Sequence, residues 1–261
     1  MRSDSMRTGL RCSPVALWLL AVSVVLATAC TGGEQAKADR DAEYFYGLAA
    51  NSYLDKNYQA ALRELEGCFA ANPNHAEAHH LAGLIYMGRL EYPDALLHME
   101  RAVELEPRLL IARANLGALH IAMQSWDKAL EVLTPLLKDP MYETPYLAEN
   151  NVGWAYFNLK QYGEAERHLK RALFLNDQMC LAYNNLGIVL AAQDRDEEAL
   201  DYFEAAIKRC GDYVEAYFRL GGALERMGRL EQAGQEFARC QKIGGDSFYG
   251  RRCKRKLQVM R

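Results

Sequence analysis

An all-α solenoid of six two-helix repeats, closed by a C-terminal capping helix, is predicted from three observations. Small residues recur as Ala49, Gly83, Gly117, Gly153, Gly187 and Gly221, at spacings of 34, 34, 36, 34 and 34. A second small series, Ala61, Ala95, Ala129, Ala165, Ala199 and Ala233, keeps the same spacings. Large apolar residues follow that second series by four, one turn along the same helix face: Leu65, Met99, Leu133, Leu169, Phe203 and Phe237. Two helices cross closely only where neither carries a bulky side chain, so a small residue marks each crossing and large ones fill the space beside it. Half of the 261 residues are hydrophobic and a quarter are charged, which is enough apolar content for a folded body.

The N-terminal thirty residues stand outside this pattern. "MRSDSMRTGLR" is basic, with Arg2, Arg7 and Arg11 against Asp4. The apolar run "SPVALWLLAVSVVLATA" is short for a membrane span, which needs about 20 apolar residues, and it ends in small residues as cleaved signals do. Residues 1–29 therefore read as a signal peptide. The cysteine after "LATA" resembles the bacterial lipobox, which implies that Cys30 opens the mature chain and carries a lipid. Ala27 departs from that pattern, which prefers Leu, and an ordinary secretory signal with an incidental cysteine is the other reading. Thr31 rather than Asp after the cysteine implies an outer-membrane address, with the folded body in the periplasm. Residues 30–41 read as a polar linker that lets the body stand off the membrane.

Charge excludes little. The formal net charge is −3, and it becomes −5 once the signal's three Arg and one Asp are removed. A body of that sign has no global reason to bind nucleic acid. The tail "GRRCKRKLQVMR" is basic, with Arg251, Arg252, Lys254, Arg255, Lys256 and Arg261. It reads as the solvated face of a terminal helix, with contact to anionic lipid or cell-wall polymer as the alternative.

A period of 34 is that of the tetratricopeptide repeat, in which each unit is a pair of antiparallel helices. The resemblance covers residues 42–247 as six repeats: 42–75, 76–109, 110–145, 146–179, 180–213 and 214–247. Pro73 and Pro107 fall where the second helices of the first two repeats must stop. Residues 248–261 read as the capping helix and basic tail, after a stop at Gly244-Gly245. Solenoids of this kind bind partners. The sequence holds no Gly-rich phosphate loop, no paired-cysteine zinc spacing and no H-E-x-x-H, so neither a cofactor nor an enzymatic activity is expected. His75, His79, His80 and His98 cluster in sequence but are divided between two helices, and read as packing or solvated side chains.

The remaining cysteines follow the repeat. Cys68 and Cys240 take the place of Ala102, Ala172 and Ala206, and read as buried small hydrophobes. Cys180 opens the first helix of repeat five and Cys210 closes its second, so antiparallel pairing brings the two ends together. In an oxidising compartment a Cys180–Cys210 disulfide is expected, with two free thiols as the alternative. Cys253 is then unpaired or competes for Cys240.

One stretch breaks the period: "LTPLLKDPMYETPYLAENNVGWAYFNL" carries three prolines and two extra residues. Pro135 should bend or end the second helix of repeat three. Leu136 replaces the expected small residue, which predicts looser packing onto repeat four. Asp139 precedes Pro140 and is biased toward extended chain. Thr144-Pro145 reads as an N-cap followed by the first helical residue. The interruption is expected to act as a joint between two three-repeat halves. Asp139, Pro140, Tyr142, Pro145, Glu149, Asn150 and Gly153 also resemble a segment of the type IV pilus pilotins, which are six-repeat lipoproteins. That resemblance implies a role in helping the outer-membrane secretin of the pilus insert and multimerise. A general envelope scaffold for cell-wall or outer-membrane assembly is the alternative.

In this repeat type the first helices line the concave surface, through positions three before, one after and four after the small residue. Those positions hold Tyr46, His80, Asn150, Asn184 and Phe218, then Leu84, Trp154 and Ile188, then Tyr53, Met87, Ile121 and Phe157. The expected groove is apolar and aromatic, with asparagines to bond a partner's backbone and Trp154 beside Phe157 as its anchor. It is expected to lack the Lys/Arg/Asn set by which chaperone-tail-binding relatives grip a carboxylate.

Overall fold

The structure, a computed structural model, describes the backbone of residues 14–260 and the side chains of residues 33–260. The side chains of Cys30 and of the signal segment are not among those described. The described residues form six helical hairpins: α1 (Pro14–Leu54) with α2 (Tyr58–Ala71), α3 (Ala76–Gly88) with α4 (Tyr92–Leu105), and α5 (Leu110–Ala122) with α6 (Trp126–Leu133). The second three are α7 (Pro145–Asn158) with α8 (Tyr162–Leu175), α9 (Cys180–Ala191) with α10 (Asp196–Arg209), and α11 (Val214–Arg226) with α12 (Leu230–Gly244). A last helix, α13 (Phe248–Val259), follows the turn at Gly245, whose φ of 49° suits a residue without a side chain. The six-repeat solenoid and its cap are therefore as the periodicity predicts. Among the described residues no helix is long and apolar enough to cross a membrane.

The small-residue series does what close crossing requires. A Cβ added at Gly187 would lie 2.5 Å from the Phe203 ring, at Gly221 2.7 Å from Phe237, and at Gly153 2.8 Å from Leu169. At Gly117 it would collide with Leu133. Each partner is the large residue of the second helix, and Leu133, Leu169, Phe203 and Phe237 are all fully buried. First helices of successive repeats approach one another more closely than second helices do, so the chain curves with its first helices inside.

Two expectations fail at the ends of repeats. Residues 34–41, read as linker, continue α1 as helix. They are rich in Ala, Gln, Glu and Lys and lack proline, so helix is their favoured state. The Gln35 amide donates to the Asp39 carboxylate at 3.0 Å, and Asn72 donates to the same oxygen at 3.2 Å. At the interruption, α6 ends at Leu133 and a 3-10 segment, Thr134–Lys138, carries Pro135. The loose packing expected there is absent. Leu136 is 1% exposed and packs with Leu133, Tyr142, Ala148 and Val152, so one apolar cluster crosses from repeat three into repeat four. The larger side chain fills the room that the tighter 3-10 turn opens. Pro145 starts α7 as expected, but the Thr144 side chain makes no capping hydrogen bond.

Two disulfides lie in the last third of the chain. One joins Cys180 to Cys210 across repeat five. The other joins Cys240 to Cys253 and pins α13 to α12, so Cys240 is no free small hydrophobe. Its position beneath the capping helix could not be read from the repeat, because Cys253 lies outside it. Cys68 stays a buried thiol, pushed up to about 11 by burial.

Candidate functional site

The concave positions divide into two populations. Along the N-terminal repeats, Tyr46, Tyr53, His80, Leu84, Met87 and Ile121 are half-buried, and their partners are internal. Tyr46 lies 5.0 Å from the His75 ring, and Tyr53 lies 5.7 Å from Tyr58. His80 Nε2 accepts from the Asn115 amide at 2.8 Å. Leu84 and Met87 pack around Met99, and Ile121 joins the cluster that crosses the interruption.

Asn150 and Asn184 do not face a partner at all. Asn150 is 2% exposed and Asn184 0%. Asn150 bonds Asn151 at 3.3 Å and accepts from Asn185, in the next repeat, at 3.0 Å. Both side chains at this position are therefore turned away from the groove, and the Asn150 and Asn185 amides join repeat four to repeat five. Glu149 beside them takes His168 at 2.6 Å, with the Tyr156 ring stacked on the imidazole 5.4 Å away. Within the segment that resembles the pilotins, Tyr142, Glu149 and Asn150 are buried, while Pro140 and Met141 are exposed. Trp154 and Phe157 are half-buried rather than exposed, and stack on each other with ring centres 5.0 Å apart.

The C-terminal repeats do enclose a cleft, of about 520 Å³. Its floor is apolar: Phe157 from α7, Ile188 from α9, Phe203 from α10 and Phe218 from α11. Its rim is charged, with Arg219 and Arg226 from α11, and Arg252 and Lys256 from α13. Cations nonetheless reach the cleft, although the three concave positions read from the sequence hold none. Two of these cations sit outside the three scanned positions of α11, and two arrive on the capping helix, which folds back over the mouth. The basic tail carried the signal, but its spacing does not say where α13 will lie.

Histidines gather at the other end. His79 Nδ1 lies 3.0 Å from His98 Nδ1, across the α3–α4 hairpin, and both rings pack against Phe69. Burial pushes both imidazoles below their ordinary value. His75 caps α3 by accepting from the Ala78 amide at 3.2 Å. Among the described residues no group of three or more His, Cys, Asp or Glu is placed to hold a metal ion.

The architecture is that of a tetratricopeptide-repeat solenoid, a fold that serves as a scaffold for protein–protein interaction. Residues 150–214 and 214–243 each match a tetratricopeptide-repeat family model. The fold is similar to that of PilW, a widely conserved type IV pilus biogenesis factor, with a TM-score of 0.74 and 21% identity. That overlap covers 81% of this chain and 97% of PilW. It is also similar to PilF of Pseudomonas aeruginosa, with a TM-score of 0.70, 14% identity, and coverage of 84% and 99%. In sequence the chain is 26% identical over 203 residues to a BBSome complex member BBS4 homolog of Drosophila melanogaster, covering 76% of this chain. It spans 40% of that protein, and less than half of each of the other curated relatives it matches.

Proposed function

We propose that this protein is a lipid-anchored assembly factor of the bacterial outer membrane that acts as pilotin for the secretin of a type IV pilus. Cys30 carries the lipid, the solenoid stands in the periplasm, and the concave face takes a segment of the secretin. The observation that carries the reading is the overlap with PilW, which spans 97% of that chain and 81% of this one. The segment from Asp139 to Gly153 adds to it, because it resembles the pilotins where the repeat pattern itself is silent. An apolar cleft on the inner face supplies a place for a partner side chain, whose burial is worth about 1.5–3 kcal/mol.

The test is genetic. Deleting the gene should remove heat-resistant secretin multimers and surface pili, and the wild-type chain should restore them. Cys30→Ala should fold but leave the outer-membrane fraction and restore neither. Secretin multimers that survive the deletion would overturn the reading. A general envelope scaffold would then be the better description of the same groove.

A further inference from the structure

The cleft carries more chemistry than an apolar hollow. Its four rim cations are not equivalent. Arg219 is held by Glu215 at 2.8 Å, Arg226 by Asp196 at 2.5 Å, and Lys256 by Glu225 at 2.5 Å. Arg252 has no carboxylate within 4.0 Å among the described residues. Its guanidinium instead lies over aromatic faces, 4.7 Å from the Phe218 ring centre and 5.4 Å from Phe248. A planar guanidinium laid on a ring keeps its N–H edge free for a carboxylate. Arg255 borders an adjoining hollow that shares Phe218, Glu225, Arg252 and Lys256 with the cleft, and α13 contains no acidic residue. The Cys240–Cys253 disulfide fixes the residue next to Arg252, so this lip is held in place before any partner arrives.

We propose that the cleft binds an extended partner segment in which an aromatic or large aliphatic side chain sits beside acidic residues. The apolar side chain enters between Phe157, Ile188 and Phe218, and a carboxylate closes onto Arg252. This rests on the reading of the concave face as the partner-binding surface, and supplies the chemistry of the partner. Charge complementarity selects the occupant, since one unpaired cation stands at the lip of an otherwise neutralised rim. An anionic bilayer is the poorer fit, because a planar surface does not reach aromatic rings recessed among α7, α9 and α11.

The experiment uses the full lipidated chain in neutral detergent, titrated into fluorescein-labelled dodecapeptides read by anisotropy. Each peptide carries one central Phe followed by three Glu in a Gly/Ser background, with Glu→Gln, Glu→Lys and Phe→Ala versions. The Glu peptide should bind on the order of tenfold tighter than any of the three, and more weakly as salt is raised. Arg252→Glu should remove that preference and Arg252→Lys should keep most of it. Lys254→Glu, the same change of charge at an exposed site on α13, should leave it intact; circular dichroism confirms that each variant is folded. Equal binding of Glu and Gln peptides, or equal loss in Arg252→Glu and Lys254→Glu, overturns the proposal. So does absence of peptide binding accompanied by Arg252-dependent binding to phosphatidylglycerol vesicles. Failure here with loss of secretin multimers in the deletion strain sinks this inference alone. Surviving multimers together with the peptide preference sink only the pilus assignment.

Discussion

Leu90 is 70% exposed and makes the turn between α3 and α4 with a φ of 63°. A side chain in that left-handed region costs roughly 1–2 kcal/mol, yet Lys56, Gln124, Lys160 and Asp194 repeat it at the equivalent turns. Only Gly228 is the residue such a backbone prefers. These turns could not be read from composition, because packing on either side fixes the backbone and leaves the residue type free. Asn150 and Asn184 were misread for a related reason. A helix position names a direction, and whether that direction meets solvent or the neighbouring repeat depends on how closely the first helices approach. Titration offers a test at this scale. His79 and His98 have folded values below 6.5, so the folded state favours their neutral forms. Their contribution is complete above the unfolded value and is lost as pH falls through the depressed folded ones. Denaturant midpoints should therefore fall on going from neutral to mildly acidic buffer. His98→Phe, which keeps the aromatic stack without the proton, should flatten that slope whatever it does to the midpoint itself.

Helices and their connections show where periodicity suffices. The small-residue series and its large partners predicted every hairpin, because each glycine faces a specific Leu, Met or Phe. Periodicity failed where an element lies outside the repeat or interrupts it. The helical residues 34–41, the 3-10 turn at Pro135 and the placement of α13 all depend on contacts that the 34-residue register does not contain. Covalent links belong to this scale too. Cys180 and Cys210 are 30 residues apart, and closing such a loop stabilises by about 3–4 kcal/mol in the chain-entropy account. The double change Cys180→Ser with Cys210→Ser should lower stability by about 2–4 kcal/mol, read from the denaturant midpoint under oxidising conditions. Alkylation of the unreduced, denatured mature chain should mark Cys68 and spare the other four cysteines of residues 33–260. Labelling at Cys180 or Cys210 would show that the crosslink does not form.

For the molecule as a whole, the question is whether the solenoid behaves as one cooperative body. Stability in stacked repeats is a sum of repeat terms and nearest-neighbour interfaces, so one weak interface can divide the array. The interruption was expected to be such a division, and the buried Leu136 argues that it is bonded shut. Truncating a buried leucine to alanine costs about 2–5 kcal/mol. Leu136→Ala should therefore uncouple the halves, and a single unfolding transition should become two when followed by circular dichroism and by intrinsic Trp fluorescence. A single transition that merely shifts would mean that the halves stay coupled through other contacts, the Asn150–Asn185 bond among them.

Both disulfides fall within residues 180–253, and the described residues before them hold no crosslink. That asymmetry has a mechanical meaning. If a lipid holds the N-terminus and a partner is seated in the C-terminal cleft, whose floor begins at Phe157 of α7, tension between them runs through repeats one to three before it reaches the cleft. Uncrosslinked hairpins yield first under load, one after another, and each adds length while the stapled end keeps its grip. Such a chain is a tether with a built-in slack reserve: it can lengthen under pull without letting go of its cargo.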